Sequence, residues 1–222
     1  MHIGLIGGIG PAATEFYYRS LVNLYKKENR RLDLTIAHAD AREMVGNLEA
    51  GNQEAQAAIF ATYIDQLKAA GCDAVALTSM GGHFCISALE GMSSLPVISA
   101  LPALQEHFAA INVAKVGVLG TRAVMESKLY AISGVEVVTV PLDDIQQAHD
   151  HYIAMAISGL ASAEQRAFFD AAASRLVNDA GADAVVLGGT DLFLAFDKPS
   201  YAYPVVDCAL VHAAAIARIG MS

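Results

Sequence analysis

The chain repeats itself. Gly4-Leu5-Ile6-Gly7 returns as Gly117-Val118-Leu119-Gly120, and Ala70-Gly71-Cys72-Asp73-Ala74-Val75 returns as Ala180-Gly181-Ala182-Asp183-Ala184-Val185. A third echo pairs Leu95-Pro96-Val97-Ile98 with Tyr203-Pro204-Val205-Val206. All three recur in the same order at a separation of about 110 residues, which marks a duplicated supersecondary unit rather than chance composition. Each half should therefore build the same strand ends and loops. The expected result is two similar lobes related by a pseudo-twofold axis, with a cleft between them.

Short apolar runs alternate with longer segments of helical period, the pattern of an α/β fold with buried parallel strands. Strands are expected near Ile3–Ile6, Leu34–Ala37, Ala74–Leu77, Val97–Ser99, Val116–Leu119, Val135–Val140, Ala184–Leu187 and Val205–Val206. Covering helices are expected over Ala13–Tyr25, Asn52–Ala70, Ala103–Ala110, Ala163–Ala180 and Ala209–Ile219. The last helix follows a strand that echoes the one before residue 100, so it is expected to pack back on the first lobe. That divides the chain into residues 1–99 plus 207–222 and residues 100–206.

Composition narrows the function. With 222 residues, 55% hydrophobic and 17% charged, the chain can bury a large core. Fourteen Lys and Arg against 23 Asp and Glu give a formal charge of -9, which repels phosphate backbones and anionic bilayers. Neither nucleic acid nor a membrane is an expected partner. The mean hydropathy is +0.40, yet no run approaches the roughly 18 apolar residues of a membrane span, and the apolar start runs into glycines. The reading is a soluble, leaderless, cytoplasmic protein, and the high apolar content predicts a homodimer.

Cys72, Cys85 and Cys208 show no CxxC spacing, so neither a disulfide framework nor a thiolate zinc site is expected. His149-Asp150-His151 is the nearest approach to a metal motif, but i, i+2 spacing on a helix points the two imidazoles apart. No metal is expected.

In open α/β sheets, ligands collect at the carboxyl ends of the strands. Those ends are the loops Gly7–Thr14, Thr78–His83, Gly120–Met125 and Gly188–Leu192. Gly8-Ile9-Gly10-Pro11-Ala12-Ala13 fits G-x-G-x-x-A and supports three readings. A dinucleotide site would use Asp40 as the ribose acid, although Pro11 removes a backbone N–H from the phosphate loop. A tight strand-to-helix turn needs the glycines for positive φ. A small carboxylate at the helix N-terminus fits Pro11 at the first helical position.

Gly7-Gly8-Ile9-Gly10-Pro11-Ala12-Ala13-Thr14 after an N-terminal strand resembles the opening motif of the aspartate/glutamate racemase superfamily. Leu119-Gly120-Thr121-Arg122, followed by Met125-Glu126, resembles the start of that family's second half, and the likeness covers nearly the whole chain. The resemblance implies two Rossmann-like lobes and an isomerase of amino-acid metabolism. It also implies a site that works without pyridoxal phosphate or any other cofactor, on small acidic amino acids or related dicarboxylates.

Such racemases take a proton from one face of Cα and return one to the other, typically through a cysteine thiol from each lobe. Here Ser79 stands where relatives resemble Cys-Asn-Thr-x-His, and Gly189 stands where they resemble Gly-Cys-Thr-Glu. Both thiols are missing. A glycine carries no proton, so a symmetric two-thiol mechanism is excluded.

The resemblance leaves Ser79, His83 and Asp191 as catalytic candidates. Gly8, Gly10, Pro11, Thr14, Asp40, Thr78, Met80, Gly81, Thr121, Arg122, Gly189 and Thr190 are the substrate-binding candidates. His83 also fits a packing role at the start of a helix, Asp191 an N-cap, and Cys85 either a substitute thiol or a small buried hydrophobe. Cys72 and Cys208 read as packing residues. Arg42, Arg122 and Arg166 are the cations available to a dicarboxylate, or else solvated surface groups. Two alternatives stand beside racemisation: a lyase, decarboxylase or isomerase with one proton carrier, and a dicarboxylate-binding protein that has lost the chemistry.

Overall fold

The structure, a computed structural model, describes residues 1–8 and 10–222; Ile9 of the glycine motif lies outside the described residues. The chain forms two compact units, Met1–Ala100 with His212–Ser222, and Leu101–Val211.

The first unit begins with β1 (His2–Gly7), α1 (Pro11–Lys27), β2 (Asp33–His38), α2 (Ala41–Glu49) and α3 (Gln53–Ala69). It continues through β3 (Ala74–Leu77), a 3-10 turn (Gly81–Cys85) and α4 (Ile86–Met92). Its strands pair in parallel in the order β2-β1-β3. β1 and β3 are buried almost throughout, as continuous apolar runs covered on both faces must be. The edge strand β2 carries Asp33, Thr35 and His38 and is only partly covered. Pro11 occupies the first turn of α1, where its missing N–H leaves no helical bond unmade, and Lys26 and Lys27 close the last turn against the helix dipole.

The second unit contains α5 (Ala100–Ala110, from Leu101 onward), β4 (Lys115–Leu119), α6 (Arg122–Glu126), α7 (Lys128–Ala131) and β5 (Glu136–Thr139). Then come α8 (Leu142–Ser158), α9 (Ala163–Asn178), β6 (Ala184–Leu187), a 3-10 turn (Leu192–Leu194), β7 (Val205–Asp207) and the first turn of α10 (Cys208–Met221). These strands are also parallel, in the order β5-β4-β6-β7. A capping box between Ser162 and Gln165 starts α9, and Gly159 in the left-handed region ends α8. All four residues of α7 have positive φ, so it is one turn of left-handed backbone.

The sequence echo has a physical counterpart within each sheet. Asp73 N–H donates to His2 O at 2.8 Å while its carboxylate accepts from His2 N–H at 2.7 Å. Asp183 repeats both bonds with Lys115, at 2.8 and 2.9 Å. Val75 N–H donates to Pro96 O at 3.0 Å, and Val185 N–H to Pro204 O at 2.9 Å. The repeated Gly-x-Asp and x-Pro-Val segments thus set the register of the third and fourth runs in each half.

Every expected strand is present except Val97–Ser99, which forms a single parallel bridge between Val97 and Val75. Helices α2, α6 and α7 were not among the expected elements, and α8 was expected only as the helix carrying His149-Asp150-His151, without its bounds. The chain returns to the first unit at His212, inside α10, rather than at residue 207. Asp207 explains the later return: its carboxylate accepts from Ala209 N–H at 2.8 Å and Leu210 N–H at 3.3 Å, tying the first turn of α10 to β7. No helix among the described residues is long and apolar enough to cross a membrane.

Candidate functional site

In the first unit, Thr14 reaches back from the start of α1 over the end of β1. Its hydroxyl accepts from Gly8 N–H at 2.9 Å and lies 3.2 Å from both Gly10 O and Thr78 Oγ1. Thr78 donates to Ile6 O at 3.2 Å. A Cβ on Gly7 would lie 2.4 Å from Thr14 Cγ2, and one on Gly8, whose φ is +95°, would lie 2.5 Å from His38 Nδ1. The glycines therefore permit a close approach of backbone and side chains, as the tight-turn reading requires.

The dinucleotide reading gains no support from Asp40, which instead N-caps α2 by accepting from Arg42 N–H at 2.8 Å. The Arg42 guanidinium hydrogen-bonds this exposed carboxylate and holds it down at about 2. Asp40 and Arg42 are thus committed to each other.

Ser79 and His83 are buried together but do not form a nucleophile–base pair. Among the described residues, Ser79 Oγ has one hydrogen bond, from Gly82 N–H at 3.2 Å. His83 Nδ1 lies 2.8 Å from Ser79 O, and Nε2 accepts from Ala100 N–H at 3.1 Å. A carbonyl only accepts, so Nδ1 carries the proton and the ring is neutral. Burial pushes its pKa down to about 4. His212 is held in the same way, donating from Nε2 to Ile98 O at 2.8 Å and accepting from Tyr17 O–H at 2.9 Å; burial pushes it to about 3. These two rings, edge to face at 5.7 Å, brace backbone. Met80 and Gly81 are buried beside them.

The cysteines offer no ready thiolate. Burial pushes Cys85 up to about 12, and it raises Cys72 and Cys208 as well. Cys85 Sγ donates to Gly82 O at 3.4 Å, a packing arrangement.

In the second unit the loops after β4 and β6 nearly touch: a Cβ on Gly120 would lie 3.0 Å from the Gly188 carbonyl carbon. Thr121 N-caps α6, accepting from Val124 N–H at 3.3 Å. Arg122 follows it, exposed, with its backbone N–H on His149 Nδ1 at 3.3 Å, and enters no salt bridge among the described residues. Arg166, by contrast, is paired with Asp197 at 2.9 Å.

The space beside Gly189 is filled by Tyr152 from α8. A Cβ at position 189 would lie 2.2 Å from Tyr152 Cε2. The phenol donates to Asp191 Oδ2 at 3.1 Å. Tyr152 is 5%, Thr190 2% and Asp191 1% exposed. Asp191 makes no side-chain cap to the 3-10 turn that follows it. Burial, with the nearby Asp191 charge, raises the phenol well above its ordinary pKa. At the end of β7, burial pushes Asp207 up to about 6, and Cys208 feels the charges of both Asp207 and Asp191.

Tyr152 and Asp207 were not among the sequence candidates. Asp207 ends a recognised strand and was accessible to the same placement rule that selected Asp191; Tyr152 meets the loop only through the tertiary fold. No group of His, Cys, Asp and Glu among the described residues is arranged to hold a metal ion.

The profile described as Asp/Glu/hydantoin racemase matches residues 6–216. Among solved structures, a candidate Asp/Glu racemase from Yersinia pestis is 23% identical, with all of both chains covered and a TM-score of 0.85. An aspartate racemase homologue from Pyrococcus horikoshii OT3 is 22% identical over 100% of this chain and 99% of that one, with a TM-score of 0.81. A glutamate racemase from Francisella tularensis, solved with D-glutamate, is 16% identical over 99% and 81%, with a TM-score of 0.71. At these identities the likeness speaks to the fold, two parallel sheets flanked by helices.

Proposed function

The chain belongs to the Asp/Glu/hydantoin racemase family, and we propose that it moves a proton on and off the carbon next to a carboxylate of aspartate, glutamate or a related small dicarboxylate. The observation that carries the reading is the buried carboxylate of Asp191 at the end of β6, held by a phenol. In the proposed step the α C–H bond breaks, the proton passes to Asp191, and the electron pair spreads into the adjacent carboxyl group. A proton is then returned to the same carbon.

The hydroxyls of Thr14, Thr78, Ser79, Thr121 and Thr190 supply hydrogen bonds to substrate oxygens, with the Gly8, Gly10 and Pro11 turn giving backbone access. Met80, Gly81 and Gly189 shape the walls, and Arg122 supplies the cation that a desolvated carboxylate needs. His83 keeps the Ser79 backbone in place. Chemistry without pyridoxal phosphate is part of the proposal, and exchange should survive treatment with hydroxylamine. A homodimeric state is proposed as well, to be measured by sedimentation.

The test is incubation with L- and D-aspartate and glutamate in D2O, followed by proton NMR and chiral analysis. Deuterium entry at Cα with loss of optical purity is the expected outcome, and no exchange with any of the four rejects the reading. A second reading has its own support: burial pushes the Cys85 thiol up to about 12, and among the described residues the Ser79 hydroxyl has its hydrogen bond from Gly82 N–H rather than from a side-chain base. One proton carrier suits a lyase, decarboxylase or isomerase, which exchange with full retention of configuration would favour. Ligand-induced thermal stabilisation without exchange would favour a binding protein.

A further inference from the structure

We infer that Tyr152 is a positioning residue for the proton carrier Asp191, a phenol delivered from α8 into the space that Gly189 leaves open. The inference rests on the reading of Asp191 given above. A side chain at position 189 and a ring at position 152 exclude each other, because the added Cβ would meet three ring carbons at 2.2, 2.8 and 2.9 Å. The wall at Gly189 is therefore occupied, by a group that brings a hydrogen-bond donor to the neighbouring carboxylate.

The ring is nearly inaccessible and has only two side-chain torsions, so the hydroxyl is fixed by packing before any ligand arrives. The bond from phenol to carboxylate is charge-assisted and lies in a buried, low-dielectric setting, where it restrains rotation of the Asp191 carboxyl group. With its proton held well above neutral pH by burial, the phenol acts only as a donor. It orients the base without competing for the substrate's proton. A tyrosine kept purely for packing would need the ring and not the hydroxyl.

Tyr152→Phe separates those roles, since it keeps the ring and deletes the oxygen. Rates of Cα deuterium exchange are measured for wild type and variant across substrate concentration, with melting temperatures beside them. The expected result is kcat lowered about ten- to a hundredfold, the scale of a lost hydrogen bond to a charged group, with KM within about twofold and the melting temperature near wild type. Unchanged kcat overturns the inference while the exchange reading stands, and so does a fall in kcat that only tracks a lost fold. Absence of exchange in the wild type removes the reading of Asp191 and this inference together.

Discussion

At the ends of matching strands the two units place different chemistry. The loops after β1 and β3 present hydroxyls, Thr14, Thr78 and Ser79, braced by histidines whose nitrogens face Ser79 O, Ala100 N–H, Ile98 O and Tyr17 O–H. The loop after β6 presents Asp191 bonded to Tyr152, and β7 ends in Asp207. Hydrogen bonding with backbone makes a side chain part of the framework, whereas a buried carboxylate held by another side chain has its orientation set by that partner. The duplicated scaffold thus repeats the positions, and the buried carboxylates Asp191 and Asp207 both stand in the second unit.

The sharpest way to break this comparison is to remove one member from each side. Asp191→Asn should lower Cα exchange by about 10²–10⁴-fold, the usual range for a general base. Ser79→Ala should cost less than about tenfold, since its hydroxyl only donates to substrate in this scheme. Exchange rates that fall more in Ser79→Ala than in Asp191→Asn would reverse the assignment.

The pH dependence of stability separates the units next. His83 and His212 titrate at about 4 and about 3 in the fold against 6.5 in the unfolded chain, so the unfolded state binds more protons between those values. Their contribution is complete above pH 6.5 and is lost as pH falls toward 4 and 3. Asp207 runs the opposite way: at about 6 against 3.8, its contribution is present below 3.8 and lost as pH rises through 6. At about 1.4 kcal/mol per pH unit for each unbalanced proton, two histidines against one carboxylate give a net loss of roughly 4 kcal/mol between pH 6.5 and 4. Urea midpoints at several pH values should show that fall, steeper in Asp207→Asn and shallower in His212→Gln. A flat profile in the wild type would contradict the buried neutral histidines.

Glycine substitutions probe packing at the same two loops. Gly189→Ala drives a Cβ into the Tyr152 ring and should destabilise by about 1–3 kcal/mol, as overpacked cores do. Gly82→Ala meets Phe60 Cζ at 3.5 Å, an ordinary contact, and should leave the urea midpoint nearly unchanged. Equal midpoints for the two variants would mean that the ring yields freely, which would also weaken the case for Tyr152 as a fixed donor.

The scaffold was legible because buried parallel strands read as apolar runs and because the Gly-x-Asp segments repeat along with their hydrogen bonds. Val97–Ser99 was overread, since a three-residue run forms one bridge. Helix α8 was expected only around His149-Asp150-His151, because Asp143, Asp144, His149, Asp150 and His151 interrupt its apolar spacing and blur its bounds, and Tyr152 went unpicked because its partner lies far along the chain. The left-handed turn at Lys128–Ala131 holds no glycine or asparagine to announce it. His83 was visible as a residue type, but its role depends on Ala100 N–H, a contact that only folding creates.

The cations offer the mildest test. Arg42 and Arg166 each already hold a carboxylate, at 2.6 and 2.9 Å, so binding a substrate carboxylate there exchanges one pair for another and gains little. Arg122 enters no salt bridge among the described residues and stands directly after Thr121, at the end of β4, where a new pair would be a net gain. Arg122→Ala should therefore raise KM about tenfold with kcat held within about twofold, a loss of uniform binding rather than of transition-state contact. Arg42→Ala and Arg166→Ala should leave both constants near wild type. Initial rates of exchange for the three variants decide it: a larger rise in KM for Arg166→Ala would show that its pair with Asp197 opens for substrate, and would move the carboxylate clamp from β4 to the start of α9.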